Sequence, residues 1–132
     1  MSRKLSREAA YKMIYSLGFP ESPTDSKELL ITASEGQANL EQDYVENIFD
    51  TAVLNLEKID EIITKYLKSF SFDRLFKADL AALRLGIAEM LMKETEAIVA
   101  IDAAVSIVKK YGTEKSAGFV NGVLSSILEK GI

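Results

Sequence analysis

Apolar side chains recur every three or four residues along most of the chain, which is the spacing of one face of an α-helix. Near the N-terminus, for example, Leu5, Ala9, Met13 and Leu17 follow one another at intervals of four. Nothing reads as the apolar–polar alternation of a half-buried strand. Since only two prolines and seven glycines interrupt 132 residues, long helices are favoured over short strands. The pattern predicts an all-α fold of about six to seven helices.

The helix ends are predicted from caps and chain breakers. Gly18 and two prolines end the first helix, Asp73 is a candidate N-cap, and Gly112 is expected to close a helix in the left-handed conformation. Thr113 is a candidate cap for the last helix. Residues 80–91 are apolar on most of the helix circumference, so their helix should be central and buried. The predicted helices cover about residues 4–17, 26–34, 41–69 with a possible break at 55–58, 73–93, 100–111, and a final segment after Thr113.

Length and composition exclude several classes of function. At 132 residues we expect a single domain, residues 1–132. The chain has no cysteine and no histidine, so disulfides, thiolate metal sites and histidine general bases are excluded. We therefore expect no enzyme, no catalytic residue, no metal and no cofactor. No apolar segment reaches the length of a membrane span and the N-terminus lacks a signal-peptide pattern, so we expect a cytoplasmic protein without membrane contact.

The charge is unevenly distributed around a net value of −4. Residues 1–12 hold four basic side chains and one acidic one, whereas residues 19–62 hold eleven acidic and two basic ones. A basic N-terminus can present a local positive face even on an acidic protein. The acidic segment is most simply a solvated surface, although it could also receive a basic protein.

The first helix carries a candidate RNA surface. Lys4, Arg7, Tyr11 and Tyr15 stand at i, i+3, i+7 and i+11, on the face opposite Leu5 and Met13, and Arg3 extends it. Cations neutralise phosphates and aromatic rings stack on unpaired bases. The alternative is a solvated basic helix start with tyrosines half-buried at its edge. On the RNA hypothesis, Arg7→Ala weakens RNA binding without unfolding the protein, because Arg7 is expected to be exposed.

A second candidate site surrounds Gly112 and Thr113. Lys109, Lys110, Tyr111 and Lys115 flank this turn, and the start of the last helix could offer backbone N–H groups to a phosphate. The alternative is ordinary helix-stop and helix-start chemistry with lysines at a helix C-terminus.

Two charged residues interrupt the apolar segment 80–91. Arg84 requires a partner, because burying an unpaired guanidinium is costly. It could pair with a structural carboxylate such as Asp79 or Asp102, or reach an RNA backbone. Glu89 raises the same question.

Five blocks of sequence resemble the NusB family over essentially the whole chain. They are LRL at 83–85, AEML at 88–91, VAID at 99–102, KYGTEKS at 110–116 and GFVNGVL at 118–124. The N-terminal pattern of Arg3, Lys4, Arg7, Glu8 and Tyr15 is similar to that family's arginine-rich first helix.

The resemblance implies two small helical bundles packed together and a role in transcription antitermination. Such proteins bind boxA-type single-stranded RNA with the ribosomal protein NusE and help RNA polymerase read through terminators, notably in ribosomal RNA operons. By position, the resemblance assigns RNA binding to the N-terminal cations Arg3, Lys4 and Arg7. It also implies that Arg84 and Phe119 lie near the RNA. Together with the two candidate surfaces, the expected RNA-binding residues are Arg3, Lys4, Arg7, Tyr11, Arg84, Lys110, Lys115 and Phe119. Tyr15, Asp79 and Glu89 are expected to face NusE.

Three other functions remain as alternatives. A NusB-fold protein–protein adaptor that has lost RNA binding would leave the cationic positions unimportant. An RNA-binding module of a methyltransferase would need a cofactor domain, for which 132 residues leave no room. A hydrolase would need a convergent carboxylate cluster. The sequence leaves a homodimer possible.

Overall fold

A computed structural model describes residues 3–19, 40–68 and 71–131, and within them the predicted all-α class is confirmed. The predicted short helix at 26–34 lies outside the described residues. A 3₁₀ turn, Phe72–Arg74, precedes the fourth described helix. The α-helices are α1 (Arg3–Ser16), α2 (Gln42–Leu54), α3 (Leu56–Tyr66), α4 (Lys77–Met92), α5 (Ala97–Tyr111) and α6 (Ser116–Lys130).

Helix α4 is the centre of the fold, as its apolar sequence predicts. Every residue from Asp79 to Met90 is buried, and α4 packs against all five other described α-helices. Its contact with α6 is close at Gly86, where an added Cβ atom would lie 2.7 Å from Leu124 Cδ1. A side chain at position 86 would therefore push the two helices apart.

The other helices form two groups around α4. Helices α1 and α2 pack against each other and against α4, and helices α5 and α6 do the same. Helix α3 contacts α2, α4 and α6, and α1 also contacts α5. The arrangement agrees with the predicted pair of small bundles, which here share their central helix. None of the described helices is both long and apolar enough to cross a membrane.

The break within residues 41–69 is confirmed and falls at Asn55. The Asn55 backbone N–H and its side-chain amide both donate to the Thr51 carbonyl oxygen, at 3.1 and 2.9 Å. The next helix starts at once, since Ile59 N–H donates to the Asn55 carbonyl. By contrast, the N-cap predicted at Asp73 is wrong: Asp73 lies inside the 3₁₀ turn, and α4 begins after Phe76.

Gly112 closes α5 in a different way from the one predicted. Its φ of −99° and ψ of −160° are extended rather than left-handed. Glycine is required here for space: an added Cβ atom would lie 2.7 Å from Ser116 Cβ and 2.9 Å from the Val108 carbonyl oxygen. Ser116 is held there because its Oγ accepts the Thr113 N–H at 2.9 Å. The turn is thus shaped by the start of α6, whereas the rule that predicts a left-handed glycine considers only the helix that ends.

Thr113 is not the N-cap of α6 as predicted: the cap is Lys115, whose N–H donates to Thr113 Oγ1.

Candidate nucleic-acid interface

A groove of about 660 Å³ runs between α1 and α5. Four cationic and two acidic side chains line it, so positive charge prevails. It brings together three of the predicted RNA-binding residues, Lys4, Arg7 and Lys110. The remaining lining residues are Glu8, Val99, Asp102, Ala103, Ser106, Ile107 and Lys109.

The three lysines of the groove differ in their pairing. Lys110 Nζ lies 3.2 Å from Glu8 Oε1, and this hydrogen bond raises the pKa of Lys110. Lys4 and Lys109 are exposed and have no ion-pair partner within residues 3–19, 40–68 and 71–131. Two ammonium groups of the groove are therefore available to a polyanion, and a third is held by a carboxylate.

Arg7 does not have the exposure that the helical pattern predicts. Only 8% of the residue is accessible, and its Nε donates to Glu89 Oε1 at 2.7 Å. Glu89 is 2% exposed and also accepts the Tyr44 hydroxyl at 2.6 Å. The expectation of a solvent-facing Arg7 is wrong because a buried carboxylate of α4 draws its guanidinium inward.

Arg3 is also engaged by protein groups. Both Nε and Nη2 donate to the Glu41 carboxylate, at 2.7 and 3.0 Å, and the guanidinium lies 3.8 Å above the Tyr44 ring. The hydrogen bond from Arg3 lowers the pKa of Glu41. Arg3 nevertheless keeps an accessible edge, since almost half of its side chain is exposed.

Tyr11 is buried and cannot present a stacking face. Its hydroxyl donates to the Ala78 carbonyl oxygen at 3.0 Å, and burial raises the pKa of Tyr11. Its ring stacks on Tyr111 with centroids 5.3 Å apart, and Tyr15 lies beyond it at 6.4 Å. The expectation for Tyr11 is wrong because α4 and α5 cover this part of α1. Tyr111, in contrast, is an exposed ring at the end of the groove helix.

Arg84 pairs with a structural carboxylate, which is one of the two alternatives that the sequence left open; the other was contact with an RNA backbone. The partner is Asp60 on α3, reached from Nε and Nη2 at 2.9 and 2.8 Å, and not Asp79 or Asp102. Arg84 is itself buried. The bidentate pair links α3 to the central helix.

Lys115 and Phe119 lie apart from the lysine groove. Lys115 is exposed at the start of α6, but its N–H donates to Thr113 Oγ1, and the Thr113 N–H is taken by Ser116. Two backbone donors of this turn are thus already used, which disfavours a phosphate site there. Phe119 is half-buried and lines a second groove, of about 350 Å³, together with Tyr66 and Lys68.

The three residues expected to face a protein partner fall into two groups. Tyr15 is half-buried, and Asp79 is buried with an Oδ1 that has no hydrogen-bond partner within the described part of the chain. Exposed rings of Phe19 and Phe76 lie close to them in sequence. Glu89 is different: the buried contacts with Arg7 and Tyr44 use both of its oxygens, so its expected place on a surface is wrong.

The wall of the groove on α5 was not predicted from the sequence. Val99, Ser106 and Lys110 are spaced by seven and four residues and therefore share one helix face, with Lys109 beside it. This helical spacing is the sequence signal that marks the face, whereas the predicted site covered only the C-terminal end of the helix. The described residues contain no group of three or more acidic side chains that could hold a metal ion.

Comparisons with known proteins agree with one another. A model described as the NusB family matches residues 4–129. The transcription antitermination protein NusB of Natranaerobius thermophilus is 35% identical over 131 residues, covering 96% of this chain and 94% of that protein. A chain from a crystal structure of antitermination factors NusB and NusE in complex with dsRNA superposes with a TM-score of 0.85 at 37% identity, covering 97% of this chain and 96% of its own length. A crystal structure of T. maritima NusB superposes with a TM-score of 0.87 at 30% identity, covering 99% of this chain and 93% of that one.

Proposed function

The chain belongs to the NusB family of transcription antitermination proteins, and we propose that it binds boxA-type single-stranded RNA together with the ribosomal protein NusE. In this role it joins the RNA polymerase antitermination complex and promotes read-through, notably in ribosomal RNA operons, within the cytoplasm. The structure that combines NusB, NusE and dsRNA supports both kinds of partner. The protein acts by binding, without catalysis.

The observation that carries the RNA assignment is the cationic groove between α1 and α5. Lys4 and Lys109 are unpaired in the described residues, and Lys110 lies on the same groove. Lysines bind phosphates as mobile point charges, so the groove suits the backbone of a flexible single strand. It does not by itself distinguish one base sequence from another. Sequence preference then requires other contacts. Phe119 and Tyr111 offer aromatic faces, and Lys115 and the accessible edge of Arg3 offer charge.

The NusE site is proposed at the α1–α4 edge, around Tyr15 and Asp79. Asp79 Oδ1 is buried and has no hydrogen-bond donor among residues 3–19, 40–68 and 71–131, which is unfavourable for a carboxylate oxygen, and a partner donor that reached it would satisfy it. Phe76, which is 65% exposed, and Phe19 supply apolar surface near it in the sequence. A partner that offers an N–H or ammonium group amid apolar contacts fits this edge.

One observation favours a second function, a protein–protein adaptor of the same fold. The three arginines expected at the RNA surface are all paired with carboxylates, which leaves most of its available positive charge to lysines; they are Arg3, Arg7 and Arg84. On this hypothesis the groove lysines contribute solubility only, and NusE binding persists without RNA.

The two functions are separated by fluorescence anisotropy of a labelled boxA-type RNA, titrated with this protein alone and with equimolar NusE at two salt concentrations. RNA binding that is saturable, weakened by salt and tightened by NusE supports the antitermination role. Asp79→Asn should lower the gain from NusE while leaving binding of RNA by the protein alone unchanged. No RNA binding in either condition, by a folded helical sample, would leave the protein adaptor.

A further inference from the structure

We propose that Glu8 attenuates RNA binding by holding Lys110 in an ion pair that keeps its ammonium group from contacting RNA phosphates. The inference rests on the proposed function and concerns the same groove. On this proposal Glu8 lowers the affinity for RNA, although Glu8 is not itself a residue that RNA binds.

The geometry across the groove is that of a fixed carboxylate and a mobile ammonium group. Glu8 lies on α1 and Lys110 on α5, and Lys110 Nζ lies 3.2 and 3.3 Å from the two carboxylate oxygens. The Glu8 side chain is only 16% exposed, whereas that of Lys110 is 63% exposed. Lys110 can therefore swing away toward a phosphate, but the carboxylate stays in the groove wall.

Other contacts hold α1 against α5, so the ion pair is not needed for that purpose. The Tyr11 ring on α1 stacks on Tyr111 of α5, and both helices pack on α4. The Lys110 ammonium group is exposed, and water and salt screen an ion pair with an exposed member, so the pair contributes little to stability. Removal of the Glu8 charge should thus leave the fold intact.

Glu8 opposes RNA in two ways. A phosphate that approaches Lys110 must displace the carboxylate, and the carboxylate then remains as a like charge next to the phosphates. Asp102, the other acidic residue of the groove, is exposed and has no ion-pair partner within the described ranges, so it withholds no lysine.

The expected effect follows from counterion release. One phosphate contact on a single strand makes the affinity vary as salt concentration to the power of about −0.7. If this contribution vanishes near 1 M salt, one gained contact strengthens binding about eightfold at 50 mM and about threefold at 200 mM. Glu8→Gln should therefore bind RNA tighter by these factors and steepen the salt dependence by about 0.7.

The test measures affinity for the labelled boxA-type RNA at both salt concentrations, with Asp50→Asn as a matched control. Asp50 is exposed on α2 and does not line the groove, so its replacement makes the same change in net charge elsewhere. We expect tighter binding by Glu8→Gln than by Asp50→Asn, unchanged thermal unfolding, and loss of the gain when Lys110→Gln is added.

Two results would overturn the inference while the proposed function stands. One is an equal gain in Glu8→Gln and Asp50→Asn, which would show an effect of net charge alone. The other is a gain from Glu8→Gln that persists in the Lys110→Gln background. If no variant and no wild-type sample binds RNA, the proposed function fails and this inference fails with it.

Discussion

Arg7→Ala should destabilise the protein by about 3–4 kcal/mol, because it removes one member of a buried ion pair. Arg7 and Glu89 are 8% and 2% exposed, and their Nε···Oε1 distance is 2.7 Å. Breaking such a pair typically costs about 3–5 kcal/mol, since the remaining charge is left without compensation. The lower part of that range applies here because Tyr44 still donates to the second oxygen of Glu89.

The loss is large for a protein of this size. With a melting shift of roughly 3–4 °C per kcal/mol for a chain of this length, the melting temperature should fall by about 10–15 °C. Circular dichroism during heating measures the shift, and urea unfolding measures the change in free energy. Lys12→Ala, at an exposed position of the same helix, is the control and should stay within about 0.5 kcal/mol of wild type.

A double variant separates the unpaired charge from lost packing. Adding Glu89→Gln to Arg7→Ala removes the buried charge and keeps the shape, so the double variant should be more stable than Arg7→Ala alone. A loss below 1 kcal/mol for Arg7→Ala, or no recovery in the double variant, would refute the assignment of Arg7 to the core.

Two further predictions concern stability. Gly112→Ala should destabilise the protein by about 1–3 kcal/mol, because the added Cβ would meet Ser116 and the Val108 carbonyl. Gly118→Ala, with open space around it, should stabilise α6 by up to about 1 kcal/mol. Thermal unfolding of both variants tests the pair, and stability changes of the same sign would contradict it. The Arg3 hydrogen bond lowers the pKa of Glu41 below its usual 4.5. The stabilisation that this interaction gives the folded state is therefore fully present above pH 4.5 and is lost as the pH falls through the folded-state pKa. Glu41→Gln should accordingly be less stable than wild type at pH 6, with a smaller difference at pH 3 in urea unfolding; a difference that grows toward pH 3 would contradict the sign.

Much of the fold could be predicted from the sequence because local periodicity controls it. The apolar spacing on α1 and the nearly continuous apolar face of α4 report burial directly, and both helices lie where that pattern predicts. The break at Asn55 was indicated by rotation of the apolar stripe. The sequence correctly predicts that Gly112 ends a helix, but not its conformation, which depends on Ser116 of the next helix.

The site was less predictable, because its outcome depends on partners distant in sequence. Glu89 is 82 residues from Arg7, and Asp60 is 24 residues from Arg84. Helical spacing correctly places Arg7 and Tyr11 on one side of α1, yet only the tertiary packing shows that this side faces a buried carboxylate and the Ala78 carbonyl. The lysines kept their exposure because their long stems leave the ammonium group in water.

The salt dependence of RNA affinity, compared between wild type and the Lys4→Gln, Lys109→Gln, Lys110→Gln triple variant, tests the groove assignment most directly. Each lost phosphate contact flattens the slope of log affinity against log salt by about 0.7 for a single strand. We predict that the triple variant keeps its helical fold and its NusE binding, binds boxA-type RNA more weakly at low salt, and has a slope flatter by about 1.4–2. An unchanged slope and affinity in a folded triple variant would contradict the assignment of RNA to the α1–α5 groove.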